Sequence, residues 1–499
     1  MIPTYFGVLV LIIGAWLMRR NDPLILLCWM MGFGLFSASA ALVLTALGSS
    51  SIPPARMFLG FVLLSVILHI RNRATVLNEA IVANAPLIIF CIYGFISALI
   101  LPRIFAYQID IVPMRPPVLR HLRDVFPLTP TPQNVTTAFY MLGSGLTAVA
   151  AYIAGRITND VTPIAKACGI ITLIHAATGI LGVALAGTPW DAFVDFIRNG
   201  SYAQLRQETD GFIRVAGLTP EPSTYANFGI VWWIFSFELW LRNIQPRLTG
   251  IAALAMAAVL TISTSSTAYV AMGAYAGIVA IRLLRFPPYL KANKIFTIGL
   301  MIMLAGAVVA ATLLLVDGLA QQVMDMVEAM LLNKAESESG QQRAFWAMQG
   351  LDAFLVSSGL GIGAGSFRSS SLAMAILGSM GVIGTVMFAW SCASLFVSPR
   401  LPANLPGMAT RKAVAESAAW AAVAGLLPAM INQASPDPGM EYAALAGLAL
   451  ALRRPALALT ATRHSSFNGW TSAPPPAPPA PPAKEPEAPR PGGWRHSSR

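Results

Sequence analysis

The chain has 499 residues, of which 56% are hydrophobic and 11% charged, with a mean hydropathy of +0.64. An average soluble domain is roughly 25% charged, so a water-facing enzyme of two or three domains is excluded and a polytopic membrane protein is expected. The formal net charge of +11 comes from basic residues scattered through short segments between apolar runs, a pattern that sets membrane topology rather than binding nucleic acid.

In chain order, apolar runs near the bilayer-spanning length of about twenty residues predict helices at 2–18, 24–48, 57–70, 81–102, 135–155, 166–188, 223–241, 250–263, 267–284, 295–316, 372–397, 412–431 and 440–452. The expected fold is therefore all-α, with about 12–13 transmembrane helices. No basic residue precedes the first run and Arg19 and Arg20 follow it, so it reads as a helix rather than a cleaved leader. Alternating sides from there places Arg71, Arg73, Arg156, Lys166, Arg242, Arg247, Arg282, Arg285, Arg411, Lys412, Arg453 and Arg454 in one set of loops. The positive-inside rule makes that set cytoplasmic. The three long loops, 103–134, 189–222 and 317–371, then face outward. Residues 1–452 form the expected membrane domain, and 453–499 a cytoplasmic tail whose Pro-rich stretch has no apolar periodicity and is expected to be extended and disordered. Cys28, Cys91, Cys168 and Cys392 all lie in apolar runs, which suggests neither disulfides nor a zinc site.

The outer loops carry the candidate chemistry. In the first, Arg115, Arg120 and Arg123 alternate with Val, Leu and Phe, suiting either a surface helix on headgroups or a site for a lipid-linked phosphate. The second ends in GFIRVAGLTPEPSTYANFGI (211–230), where Arg214 and Glu221 flank a turn before a span. Glu221 either favours the helix dipole or serves as an acid/base group beside an arginine. In the third, QQRAFWAMQGLDAFL (341–355) sets Ala344, Met348, Leu351 and Leu355 on one helical stripe, with Arg343, Trp346 and Gly350 on another. An amphipathic helix at the membrane interface is predicted. SSGLGIGAGSFRSSS (357–371) follows, with glycines at 359, 361, 363 and 365 before Arg368. It has no strand before it and is no dinucleotide loop; it makes either a tight turn or an anion-binding nest. The polar break ISTSSTAY (262–269) is either a bare turn or a hydroxyl-rich cavity floor.

RAFWAMQGLDAF followed by GLGIGAGSFR, together with RVAGLTPEPSTYA and the ISTSSTAY break, resembles the bacterial O-antigen polymerase and O-antigen ligase family over roughly residues 165–450. Those proteins are integral membrane glycosyltransferases acting on polyprenyl-pyrophosphate-linked sugars. The resemblance implies a GT-C-like membrane fold in the bacterial inner membrane with its active face periplasmic, and metal-independent transfer with no cofactor. It implies that Arg214, Arg343 and Arg368 stabilise the departing pyrophosphate and that Glu221 takes the acceptor proton. Arg115, Arg120, Arg123, Trp346, Gly363, Gly365, Ser265 and Ser266 are then the expected substrate contacts. The family's break carries an arginine after serine, whereas Ser265 and Ser266 are followed by Thr267; Arg115 to Arg123 can supply that charge. No histidine lies in 317–371, which favours a polymerase over a ligase. The implied partners are a lipid-linked glycan donor, a glycan acceptor, membrane lipids, and a chain-length regulator or export protein. A transporter or flippase of an anionic lipid is the competing class, and an export-assembly scaffold a third.

Overall fold

A computed structural model describes residues 2–45, 50–70, 74–114, 124–200, 208–209, 212–285, 293–294, 296–297, 299, 303, 338–397 and 407–457. The helices are α1 Tyr5–Met18, α2 Pro23–Phe33, α3 Pro54–Ile70, α4 Ala74–Ala83, α5 Ala85–Ile104, α6 Pro132–Ile157, α7 Thr162–Ala184 and α8 Trp190–Ile197. They continue as α9 Pro222–Leu241, α10 Pro246–Ile262, α11 Ser266–Arg285, α12 Glu338–Val356, α13 Leu372–Ser394, α14 Met408–Ala424, α15 Ala429–Asn432 and α16 Gly439–Leu452. Proline begins many of them, at a position whose missing N–H would have had no helical partner. Short polar side chains cap others: Asp22 accepts from the Leu24 and Ile25 amides at 2.9 and 3.2 Å, and Thr4 from that of Gly7 at 3.0 Å.

Six described helical segments are long and apolar enough to cross a membrane: 85–104, 132–157, 162–184, 266–285, 372–394 and 408–432. Six more apolar helices are shorter. Exposed apolar stripes run along Leu9, Ile12 and Trp16 on α1, Ile92, Ile96 and Ile100 on α5, and Val382, Val386 and Trp390 on α13. Side chains of this kind, one turn apart and turned outward, suit hydrocarbon rather than water. The protein is a mostly helical membrane protein, as the all-α expectation requires, with a few short strands. Between helices, small residues permit close approach. A Cβ on Gly447 of α16 would lie 2.2 Å from the Ala148 carbonyl of α6, and one on Gly155 of α6 would lie 2.9 Å from the Ala451 Cβ.

Three expected spans come out differently. The run 24–48 is helical only as far as a short 3-10 turn at Gly34–Phe36. Beyond it the backbone finds partners elsewhere: Ser39 Oγ donates to the Ile197 carbonyl at 2.6 Å and the Ala40 amide to Asn199 Oδ1 at 2.7 Å. Leu42–Leu44 then forms the central strand, β2, of a small antiparallel sheet with β1 (Ile2–Pro3) and β3 (Ser50–Ile52). The run 81–102 divides at Asn84, whose ψ of 12° leaves the helical range just before Pro86. The run 412–431 breaks after Gly425 into α14 and α15. The expected span 295–316 and the tail beyond residue 457 lie outside the described residues, apart from isolated helical positions in the former.

Charged side chains are paired where helices meet. Glu238 of α9 is fully buried and is bonded by Arg242, by Arg282 and Tyr275 of α11, while Arg242 also reaches Glu416 of α14 at 3.3 Å. Arg411 of α14 donates to the Gly155 carbonyl at 2.8 Å and the Thr158 carbonyl at 2.6 Å, satisfying the end of α6.

Candidate functional site

The glycine-rich loop between α12 and α13 is held by its own backbone. Gly359, Gly361, Gly363 and Gly365 all have φ between 83° and 100°, a region that only glycine enters without strain. The loop lies against a break in α13, where Gly381 takes φ 57° and ψ −149°. There the Ile362 amide donates to the Gly378 carbonyl at 2.9 Å, the Gly363 amide to Ser379 at 3.0 Å, and the Val382 amide back to Gly359 at 2.9 Å. The loop thereby satisfies the backbone groups that the kink frees. Gly361's amide is likewise committed, to Ser357 Oγ at 2.7 Å.

These bonds correct one expectation. With their amides turned onto the protein, the glycines make no open anion nest at 361–363. Gly363 and Gly365 are close-approach positions instead: a Cβ would lie 2.5 Å from Pro102 Cδ at the first and 2.6 Å from Thr137 Oγ1 at the second. Asn134 of α6 fastens the loop further, donating to the Ala364 carbonyl at 2.9 Å and to Ser366 Oγ at 3.0 Å.

What the rigid loop delivers is Arg368. Its amide bonds the Val112 carbonyl at 2.8 Å, and its guanidinium lies over the Trp346 ring of α12, 4.4 Å from the centroid. Its Nε is buried and has no hydrogen-bond partner. Arg343, one helical turn before Trp346, is tied to the same loop through its carbonyl, which accepts from Ser370 Oγ at 2.5 Å. From the other side comes the turn before α9. Arg198 donates to the Pro220 carbonyl at 3.0 Å, and Thr219 Oγ1 to that of Ala216 at 2.7 Å. This fixes Glu221 at the start of α9, where its carboxylate accepts from Ser223 Oγ rather than from the helix amides.

Arg214, Glu221, Arg343 and Arg368 lie close enough for their charges to act on one another. Burial and the Arg343 charge both push Arg214 below the usual guanidinium range, with Glu221 opposing them. Burial lowers Arg368 as well, again opposed by Glu221. Both remain protonated, since an arginine does not lose its proton in a protein. The structure therefore brings Arg214, Glu221, Arg343, Trp346 and Arg368 together from two separate segments, the turn before α9 and α12 with the loop that follows it. Such a cluster can grip a polyanion: the guanidinium forks match phosphate oxygens, and partial burial strengthens each contact.

Other expected contacts fall elsewhere. Ser265 is buried in the turn between α10 and α11, its carbonyl accepting from the Tyr269 amide at 3.1 Å. Ser266 begins α11, and among the described residues no interaction joins either serine to the arginines. Arg115, Arg120 and Arg123 lie outside the described residues. Among those described, no group of three or more His, Cys, Asp or Glu is placed to hold a metal.

The turn 432–438 also reaches this region, which its sequence alone does not reveal. Its Ala434 carbonyl accepts from the Ser369 amide at 3.2 Å, and Asn432 Nδ2 reaches the Ser223 carbonyl at 3.4 Å. Asp437 anchors the turn, pairing with Arg56 at 2.6 Å and accepting from Ser144 Oγ at 2.7 Å. Its mark in the sequence is NQASPDPG, a polar run between two apolar ones. No family model, curated protein or solved structure matches the chain.

Proposed function

We propose that the protein polymerises polyprenyl-pyrophosphate-linked oligosaccharide repeat units into a surface polysaccharide or exopolysaccharide. It does so from the bacterial inner membrane, at the periplasmic face, with about 12–13 spans. The observation that carries this reading is the clustering of charge in which Glu221 acts on Arg214 and Arg368 and Arg343 acts on Arg214, with Trp346 behind Arg368. A diphosphate leaving group needs concentrated positive charge already in place when the sugar bond breaks, and the three arginines supply it. Glu221 is the group assigned to take the proton of the acceptor hydroxyl. The acceptor is a second lipid-linked repeat unit. Trp346 orients Arg368, and an apolar exposed stripe on α12, formed by Ala344, Met348 and Leu355, suits contact with the lipid that carries the substrate.

The test is direct. Purified protein in detergent, given lipid-linked repeat units, is expected to release free polyprenyl pyrophosphate and to make longer lipid-linked glycans. Lipid bound and moved across vesicles without any glycosidic bond formed would instead mark a flippase, and glycan transferred only to lipid A core or protein would mark a ligase.

A further inference from the structure

A second polar place lies beside the arginine cluster, and its chemistry is opposite. Glu441 stands in the first turn of α16, a helix otherwise built mainly from apolar side chains. No described side chain donates to its carboxylate or pairs with it. The nearby cation Arg56 is already committed to Asp437 and to the Tyr140 carbonyl. The carboxylate looks into a cavity of about 200 Å³ enclosed by the ends of α2, α9, α14 and α16 and lined by Ser37, Thr224, Asn227 and Gln433 as well. Gly34 keeps that space open, since a Cβ there would lie 2.8 Å from Glu441 Oε1.

Two atoms around this cavity are unsatisfied. Ser37 Oγ and Asn227 Oδ1 are buried and have no hydrogen-bond partner. The Asn227 assignment follows from its neighbours: Asn432 Nδ2 donates to the Ser223 carbonyl, so Asn432 Oδ1 accepts from Asn227 Nδ2 at 2.9 Å. That leaves Asn227 Oδ1 as the acceptor turned elsewhere. An amide oxygen and a hydroxyl that lack a donor stand beside this space, together with a carboxylate that no described side chain serves. Leaving such groups buried and unpaired is costly, and a first-turn carboxylate serving the helix dipole needs no cavity. A lining rich in acceptors disfavours an anion and suits a molecule rich in O–H groups. At about 30 Å³ per water, the cavity holds a few waters or one small ring.

We propose that this cavity binds a single sugar ring of the glycan substrate, with Glu441, Asn227 and Ser37 accepting hydrogen bonds from its hydroxyls. The assignment of that ring to the glycan rests on the polymerase reading, while the binding of a sugar does not. Thr224 and Asn227 follow Glu221 on successive turns of α9, and Asn432 bridges Ser223 and Asn227. The arginines thus hold the charged end of a substrate and the cavity holds an uncharged ring beside it.

The probe is dicyclohexylcarbodiimide, an apolar reagent for carboxyl groups, with labelling of Glu441 read by peptide mass spectrometry on the full-length protein. Neutral hexoses and N-acetylhexosamines, tested singly as free sugars, are expected to include at least one that protects Glu441. The protection should persist in Arg368→Lys and disappear in Ala422→Leu, which fills the cavity from α14. No protection by any sugar, or protection by sodium chloride and not by choline chloride, would overturn the proposal, the latter by making this a cation site. In the polymerisation assay, Glu441→Gln is expected to raise the KM for the repeat unit by about tenfold or more with kcat nearly kept, because a hydrogen bond to a charged group is lost. An unchanged KM would remove the ring from the glycan substrate. Sugar protection in a protein that makes no polymer would leave the pocket standing and sink the polymerase reading alone.

Discussion

Arg368 and Trp346 are stacked across two elements, the guanidinium 4.4 Å from the indole centroid. A stacked guanidinium keeps its plane and its forked edge free, so the arrangement presets its bidentate face. Arg368→Lys retains the charge but neither the fork nor the plane, and is expected to lower kcat by about 10²–10³. Trp346→Leu leaves the fork unoriented and should cost less. Initial rates of polyprenyl pyrophosphate release at matched protein levels check both, and a Lys variant at full rate would move the pyrophosphate site elsewhere.

Glu221→Gln is nearly isosteric and keeps an acceptor for Ser223. It should lower kcat by about 10²-fold or more while binding of free polyprenyl pyrophosphate is retained. That pattern contrasts with the KM effect expected at Glu441. Near-normal turnover would leave Glu221 with a purely charge-balancing role between Arg214 and Arg368.

Gly361→Ala should not assemble. Its φ is 87°, and the new Cβ would come within 2.5 Å of the Ser379–Met380 backbone. Gly273→Ala, in α11 with nothing within 4 Å of the added carbon, should be neutral or slightly stabilising. Yield of monodisperse protein on size-exclusion chromatography separates the two.

Arg56→Ala strands Asp437, a nearly buried carboxylate, and is expected to destabilise the protein by about 3–5 kcal/mol. Replacing both, as Arg56→Met with Asp437→Leu, should cost less than Arg56→Ala alone. Thermal unfolding in detergent orders the variants.

Sidedness is open to labelling. With Cys28, Cys91, Cys168 and Cys392 replaced, Ser339→Cys on exposed α12 should react with an impermeant maleimide on intact spheroplasts. Reaction only after lysis would reverse the orientation.

The membrane class and most helix positions were legible because long apolar runs leave few other choices: α6, α7, α9 and α13 lie within a few residues of the runs that predicted them. Glu221, Arg214, Arg343 and Arg368 were legible as candidates because charge and special turn residues stand out against an apolar background. The role of the glycines was not. Whether Gly363 faces a ligand or Pro102 depends on which carbonyls α13 exposes at Gly381, and no local pattern encodes that. Glu441 was overlooked for the opposite reason: a lone carboxylate in a helix start has an ordinary local explanation, and only the cavity around it says otherwise. The strand at Leu42–Leu44 was missed because hydropathy does not distinguish extended from helical apolar residues.

The buried carboxylate of Glu238 has a consequence for biogenesis. During synthesis α9 emerges well before α11, so Arg282 and Tyr275 are not yet available when Glu238 meets the lipid. Arg242 is available, four residues later on the same helix, so the segment reaches the membrane carrying its own counterion. The later partners then lock a helix already neutralised, and α9 can wait for its neighbours without a naked charge in hydrocarbon.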